Sequence, residues 1–287
     1  MKKMLLALLM IVSLNLRGTV IPALSVQMDP QPAETVPAVT VLPNPFQPEE
    51  TEAEMTEEKV ETETQTPVRT VDSGRPMVAL TFDDGPHPVY TDQLLDILEE
   101  NGAVATFFEV GQKLSGAPEV VRRAEKLGCE IGSHSNRHAN LGKLDPEALE
   151  ADLTAADAAF EEVLGAAPTL LRPPYGATSK ALKEESGRSI VTWSVDPQDW
   201  KSRDAEQVVA HIQGAGDLDG QVILLHSPYE SSVEAARTLV PWLQAQGYQL
   251  VTVSELITLR FGDTLEPNRL YNYDYFRRPP ALPESAA

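Results

Sequence analysis

From Met77 onward the chain repeats one pattern, a short apolar run followed by a longer stretch of helical period. The apolar runs are "MVALTF", "VATFFEV", "CEIGSH", "TLLRPP", "SIVTWSV", "VILLHS" and "QLVTV". Between them, helical spacing covers 90–101, the segment from Pro118 to Gly128, 146–164, and stretches near 178–186, 204–213 and 231–246. Strands that alternate with helices of this length build a parallel sheet with helices outside it, an α/β fold. Seven such strands favour a closed or nearly closed barrel over an open sheet.

The flanks read differently. Lys2 and Lys3 precede "MLLALLMIVSL", a run interrupted by Asn15 and Arg17, with Ala23, Leu24 and Ser25 suited to cleavage. A spanning helix needs roughly 20 apolar residues, so residues 1–25 read as a signal peptide, with an uncleaved membrane anchor as the alternative. Residues 26–75, rich in Pro, Glu and Thr, read as a disordered acidic linker or tether. Of the net charge of −20, residues 29–72 hold −9, from eleven acids against Lys59 and Arg69. Such a balance excludes a nucleic-acid binder of the usual basic kind. The single Cys129 leaves no internal disulfide and reads as a small buried hydrophobe. The expectation is a secreted or extracytoplasmic monomer with its catalytic domain over 76–259 and a tail over 260–287. In that tail Tyr271, Tyr273 and Tyr275 alternate along "RLYNYDYFRRPP". Packing of that face on the barrel is the plainer reading and a sugar-binding strip the sharper one.

Chemistry collects at strand ends, the edge where α/β folds build their sites. The first run ends in two acids, Asp83 and Asp84, at the Gly85-Pro86 turn. Helix capping accounts for one of them; a bound cation accounts for both. The third run ends in "SHSNRH", with His134 and His138 four apart, a spacing that puts two imidazoles on one face of a helical turn. With a carboxylate from a neighbouring strand end this makes a two-histidine, one-carboxylate metal site with open positions, for zinc, cobalt or nickel. "LRPPYG" brings Arg172 and, behind two prolines, a stiffly held Tyr175 N–H. "WSVDPQDW" brings Asp196, Asp199 and Trp200, and "ILLHS" brings Leu224 and His226.

Taken in order, "TFDDGP", "HSNRH", "RPPYG", "DPQDW" and "LLH" resemble the five motifs of the polysaccharide deacetylases, the NodB-homology domain of carbohydrate esterase family 4. The resemblance runs from about Pro76 to Ile257. It implies a distorted (β/α) barrel and a divalent metal, zinc first, held by Asp84, His134 and His138. It implies Asp83 as general base and His226 as general acid, with Arg172 orienting Asp83 through a paired hydrogen bond. Asp199 would keep His226 charged and turned, Tyr175 would offer its N–H to the oxyanion, and Trp200 and Leu224 would wall the acetyl methyl. Glu109 departs from the apolar residue expected at its place, and is read as facing solvent or the substrate rim. His87 is read as a loop or rim residue, not a ligand.

The implied activity is hydrolysis of N-acetyl groups on cell-wall glycan, with peptidoglycan N-acetylglucosamine or N-acetylmuramic acid favoured by the export signal. Alternatives are an O-acetyl esterase on xylan, a chitin-oligomer deacetylase of the same fold, and an inactive wall-binding module. Phosphoryl transfer is set aside, because adjacent acids on a strand point oppositely.

Overall fold

The computed structural model describes residues 69–279; the expected leader, the expected linker up to residue 68 and residues 280–287 lie outside the described residues. In chain order the elements are β1 (Met77–Gly85), α1 (Tyr90–Glu100), β2 (Thr106–Glu109), α2 (Gly111–Leu114), α3 (Pro118–Lys126) and β3 (Glu130–Ser133). Next come α4 (Pro146–Leu164), β4 (Leu170–Leu171), α5 (Lys180–Glu185), β5 (Ser189–Val191), α6 (Asp199–Ser202) and α7 (Ala205–Gln213). The last are β6 (Val222–His226), α8 (Glu230–Ala245), β7 (Gln249–Leu250), α9 (Val253–Glu255), β8 (Leu270–Tyr271) and α10 (Tyr273–Phe276). Helix ends follow the sequence signals. In α4, Asp145 accepts from Ala148 N–H, Pro146 takes the first turn, and Gly165 stops the helix at φ 80°.

The strands pair in the order β6-β1-β2-β3-β4-β5-β8, with β7 against the start of β1, and every pair is parallel. Beyond β5 the chain swings back to β6. Val195 N donates to Val222 O (3.1 Å) and Leu224 N to Val195 O (2.9 Å). That bridge nearly closes the ring, so the fold is the expected distorted barrel. β4, β5 and β7 are shorter than their apolar runs.

Strand β1 sorts its residues by face. Val78, Leu80 and Phe82 belong to the outer core with Leu94, Leu95 and Leu98 of α1 and Leu239, Val240 and Leu243 of α8. Met77 and Ala79 belong to the inner core with Val251, Ile257, Tyr271 and Phe276. Each large side chain so buried contributes roughly 1.5–3 kcal/mol before entropic costs. The inner cluster closes the barrel at the N-terminal ends of its strands and leaves the other end for polar groups.

Two boundaries move. Residues 69–75, read as linker, are tied to the domain: Arg69 donates to Leu250 O (3.1 Å) and pairs with Glu255, and Val71 packs on the inner core. The tail is part of the barrel, since β8 pairs with β5 and Tyr271, Tyr275 and Phe276 are buried. No shared tyrosine strip forms, because Asn272 accepts from Tyr275 N–H and turns 273–276 into a helix, leaving Tyr273 alone half exposed. Cys129 is free and buried. Among the described residues no helix is long and apolar enough to cross a membrane.

Candidate active site

At the end of β1 the strand alternation fails. Asp83 keeps the inward face, but Asp84 takes a left-handed backbone at φ 67°, at a register shift between Asp83 and Gly85. Adjacent acids on a regular strand would point apart; this twist lets both line one cleft of about 410 Å³. Lys113 of α2 holds the turn by donating to Asp84 O at 2.7 Å.

His134 and His138 also line that cleft. They meet across a turn, not the helix that a four-residue spacing suggests, with Ser135 at φ 65° and His138 at φ 58°. His134 Nε2 lies 3.5 Å from Asp84 Oδ1 and His138 Nε2 lies 3.0 Å from the same oxygen. Ligand atoms ~2.0–2.1 Å from a tetrahedral zinc stand about 3.3 Å apart, so the three atoms fit one small cation. Among the described residues these three form the one such cluster. Asp84 Oδ1 is buried and accepts no hydrogen bond, an orphan that a cation would satisfy. His134 Nδ1 is 2.7 Å from Arg172 O, which assigns the proton to Nδ1 and frees Nε2 as a ligand. Burial would raise the Asp84 carboxyl, but the close approach of His138 and the charges of His134 and His138 hold it down at about 2. Burial lowers His134, favouring the neutral imidazole that a metal requires.

Asp83 and His226 are register partners on β1 and β6. Arg172, fully buried, donates from one Nη1 to Asp83 Oδ1 (2.8 Å) and Thr81 Oγ1 (2.7 Å). The paired contact expected between Arg172 and Asp83 is therefore a single one, because the other nitrogens serve Thr192 O and Val191 O. Asp83 Oδ2 stays 3.7 Å from His134 Nε2. His226 Nδ1 is 2.8 Å from Asp199 Oδ1. The second Asp199 oxygen accepts from His226 N–H (2.8 Å) and Ser232 O–H (2.6 Å). Burial alone would lower His226; the hydrogen bond and charge of Asp199 outweigh it and leave the imidazole raised. Tyr175 sits at φ 63° in the turn after Pro174, its ring exposed, and among the described residues no backbone carbonyl outside that turn accepts its N–H. Trp200 and Leu224 line the cleft, with Trp193, Asp196 and Tyr229.

One expectation needs correction. Glu109 faces neither solvent nor rim: it is buried beneath Gly85, where a Cβ would strike its carboxylate. Burial, opposed by Lys113 and reinforced by Asp83 and Asp84, pushes it up to about 8. His87 accepts from Val89 N–H and Tyr90 N–H through Nδ1 and is a loop residue. Thr81, although it opens "TFDDGP", went unread in the sequence, as did Ser232 and Tyr229, which stand in no motif. Tyr229 is backed by the Arg203 guanidinium 3.3 Å from its ring centre, and Arg203 donates to Trp200 O at 2.7 Å, so one arginine links both aromatic walls. A larger cavity, about 690 Å³, lies between α4 and α5. Its Arg188 is paired with Asp157, and it holds no ligating cluster.

The polysaccharide deacetylase family model matches residues 70–192, a span that includes Asp83 through Tyr175 and stops before Asp199 and His226. A peptidoglycan-N-acetylglucosamine deacetylase of Bacillus cereus is 37% identical over 195 residues, covering 65% of this chain and 91% of that protein. The chain belongs to the polysaccharide deacetylase family. Another polysaccharide deacetylase, the peptidoglycan-N-acetylmuramic acid deacetylase PdaC of Bacillus subtilis, is 40% identical over 187 residues, or 65% of this chain. The match spans only 40% of PdaC. The solved family 4 acetyl xylan esterase of Clostridium thermocellum, in complex with a cobalt ion, superposes with a TM-score of 0.64 at 34% identity, over 68% of this chain and 98% of that one.

Proposed function

We propose that this polysaccharide deacetylase is a metal-dependent hydrolase that removes N-acetyl groups from peptidoglycan, at N-acetylglucosamine or N-acetylmuramic acid units, outside the cytoplasm. One observation carries the reading. A cation-sized trio, Asp84, His134 and His138, opens on the same cleft as an unligated acid, Asp83, and a raised imidazole, His226. Asp84 Oδ1, His134 Nε2 and His138 Nε2 would hold the ion, zinc by the chemistry of the donor set, with cobalt or nickel as substitutes. Bound there, it supplies Lewis acidity and lowers the pKa of water.

The chain's own groups then divide the work. Asp83, fixed by Arg172, takes the proton from the attacking water through Oδ2. The Tyr175 N–H offers a preorganised donor to the oxygen that gains charge, an interaction typically worth about 3–4 kcal/mol. His226, kept protonated by Asp199, gives its proton to the departing amine nitrogen, without which the amine is a poor leaving group. Trp200 and Leu224 exclude water around the acetyl methyl. The export signal and the two peptidoglycan-acting relatives support the wall as substrate. The acetyl xylan esterase likeness supports a second reading, O-deacetylation by the same groups, in which the alkoxide leaves with less help from His226.

The test is mass spectrometry of peptidoglycan, chitin oligomers and acetylated xylan after incubation with the chain and added zinc or cobalt. Loss of acetyl mass from peptidoglycan alone is the expected result. Loss from xylan alone would move the assignment to the esterase, and no loss from any polymer would favour an inactive wall-binding module.

A further inference from the structure

Helix α4 buries one face, and the residues on it are Leu149, Asp152, Leu153, Ala156, Phe160 and Val163. Asp152 does not belong there on hydrophobic grounds. It is 3% exposed, and burying a carboxylate is costly unless hydrogen bonds return what water supplied. Its Oδ1 accepts from Asn136 N–H at 2.9 Å. Its Oδ2 is buried with no hydrogen-bond donor, with Arg137 Nε at 3.5 Å as its nearest cation.

Asn136 and Arg137 lie between the two histidines of the cleft. That loop adopts a shape which L-residues disfavour, with Ser135 and His138 both at positive φ. Four bonds hold it. Gly111 N–H donates to Ser135 O (3.0 Å) and Gln112 N–H to Asn136 O (2.9 Å); Ala139 N–H donates to Ser135 Oγ (3.1 Å); the fourth is the bond to Asp152. Three of the four come from backbone donors or from within the loop. Asp152 alone supplies a charged side chain from a separate helix.

We infer that Asp152 is a positioning residue for the metal site: it fixes the 134–138 loop so that both imidazoles reach Asp84. This rests on the metal reading above. Partners of this outer kind typically change metal affinity by about 10–100-fold when lost, which sets the size of the effect to look for.

The experiment titrates the full, metal-free chain with zinc against a chelating dye, and records the absorption of the cobalt form. Asp152→Leu keeps the helix and its packing but removes the acceptor; it should weaken zinc about 10–100-fold and alter the cobalt spectrum. Thermal unfolding of the metal-free protein should change little. Asp152→Asn retains an oxygen for Asn136 N–H and should recover most of the affinity. Should the leucine variant fail to fold, Asp152→Ser, too short to reach Asn136, gives the same comparison. Zinc binding as tight in the leucine or serine variant as in the unaltered chain would overturn the inference, as would an asparagine variant no better than they are. If the unaltered chain binds neither zinc nor cobalt, the metal reading fails and the inference falls with it; binding by the unaltered chain with equal affinity in the variants sinks the inference alone.

Discussion

The two ends of the barrel obey different rules, and one strand runs through both. At the start of β1 the inward residues are Met77 and Ala79, sealed by Val251, Ile257, Tyr271 and Phe276. Further along the same strand come Thr81, bound to the Arg172 guanidinium, and then Asp83, which shares it. Backbone strain follows the same gradient. Of the seven non-glycine residues at positive φ among the described residues, Asp84 lies at the end of β1, Ser135, His138, Tyr175, Gln198 and Arg203 lie in segments that follow strand ends at the cleft, and Asn268 lies elsewhere. Strained backbone and buried charge gather where the chemistry is, and the apolar pole supplies the stability that tolerates them.

If the division is real, mutations at the two poles should fail in different ways. The largest effect belongs to the polar pole. Asp83→Asn should keep metal affinity and lose turnover by about 10²–10⁴-fold, whereas His134→Ala should lose both, measured by zinc titration beside product release. Equal metal loss in the two variants would reverse the roles given to the acidic pair. Next comes the apolar pole. Phe276→Ala should cost about 3–5 kcal/mol of stability in denaturant unfolding, while the folded fraction turns over normally. A selective loss of turnover there would break the division.

The smallest effect sharpens it within the polar pole. Glu109 titrates at about 8 when folded, against an ordinary 4.5. Between those values the unfolded chain releases a proton that the folded chain retains, so stability falls as pH rises from 4.5 to 8. Glu109→Gln removes that dependence. The variant should gain on the order of 4 kcal/mol over the unaltered metal-free chain at pH 8 and almost nothing near pH 4.5, read from unfolding curves at both values. A gain that does not vary with pH would place the Glu109 carboxyl in contact with water.

Much of this was legible in the chain. Helices announce themselves by period and caps, as Asp145-Pro146 and Gly165 do for α4, and the motif residues fall on one cleft because parallel strands present one edge. What was illegible depends on partners distant in sequence. Asp152 looks like one more acid on an Ala-rich helix until Asn136 is brought to it. Glu109 looks like a rim residue until Gly85 covers it. Strand β8 has only two residues, too few for alternation to register. The left-handed turn at Asp84 could not be foreseen, since aspartate gives no warning of it as glycine would.

Arg69 enters the domain beside Leu250 and Glu255, and Leu250 pairs with Val78 near the first residue of β1. Asp83 lies six residues further along that strand, roughly 20 Å away at the usual rise. Any load or leash applied through the preceding chain therefore arrives at the floor of the barrel. The cleft that holds Asp83 opens at the opposite end of β1 from that entry.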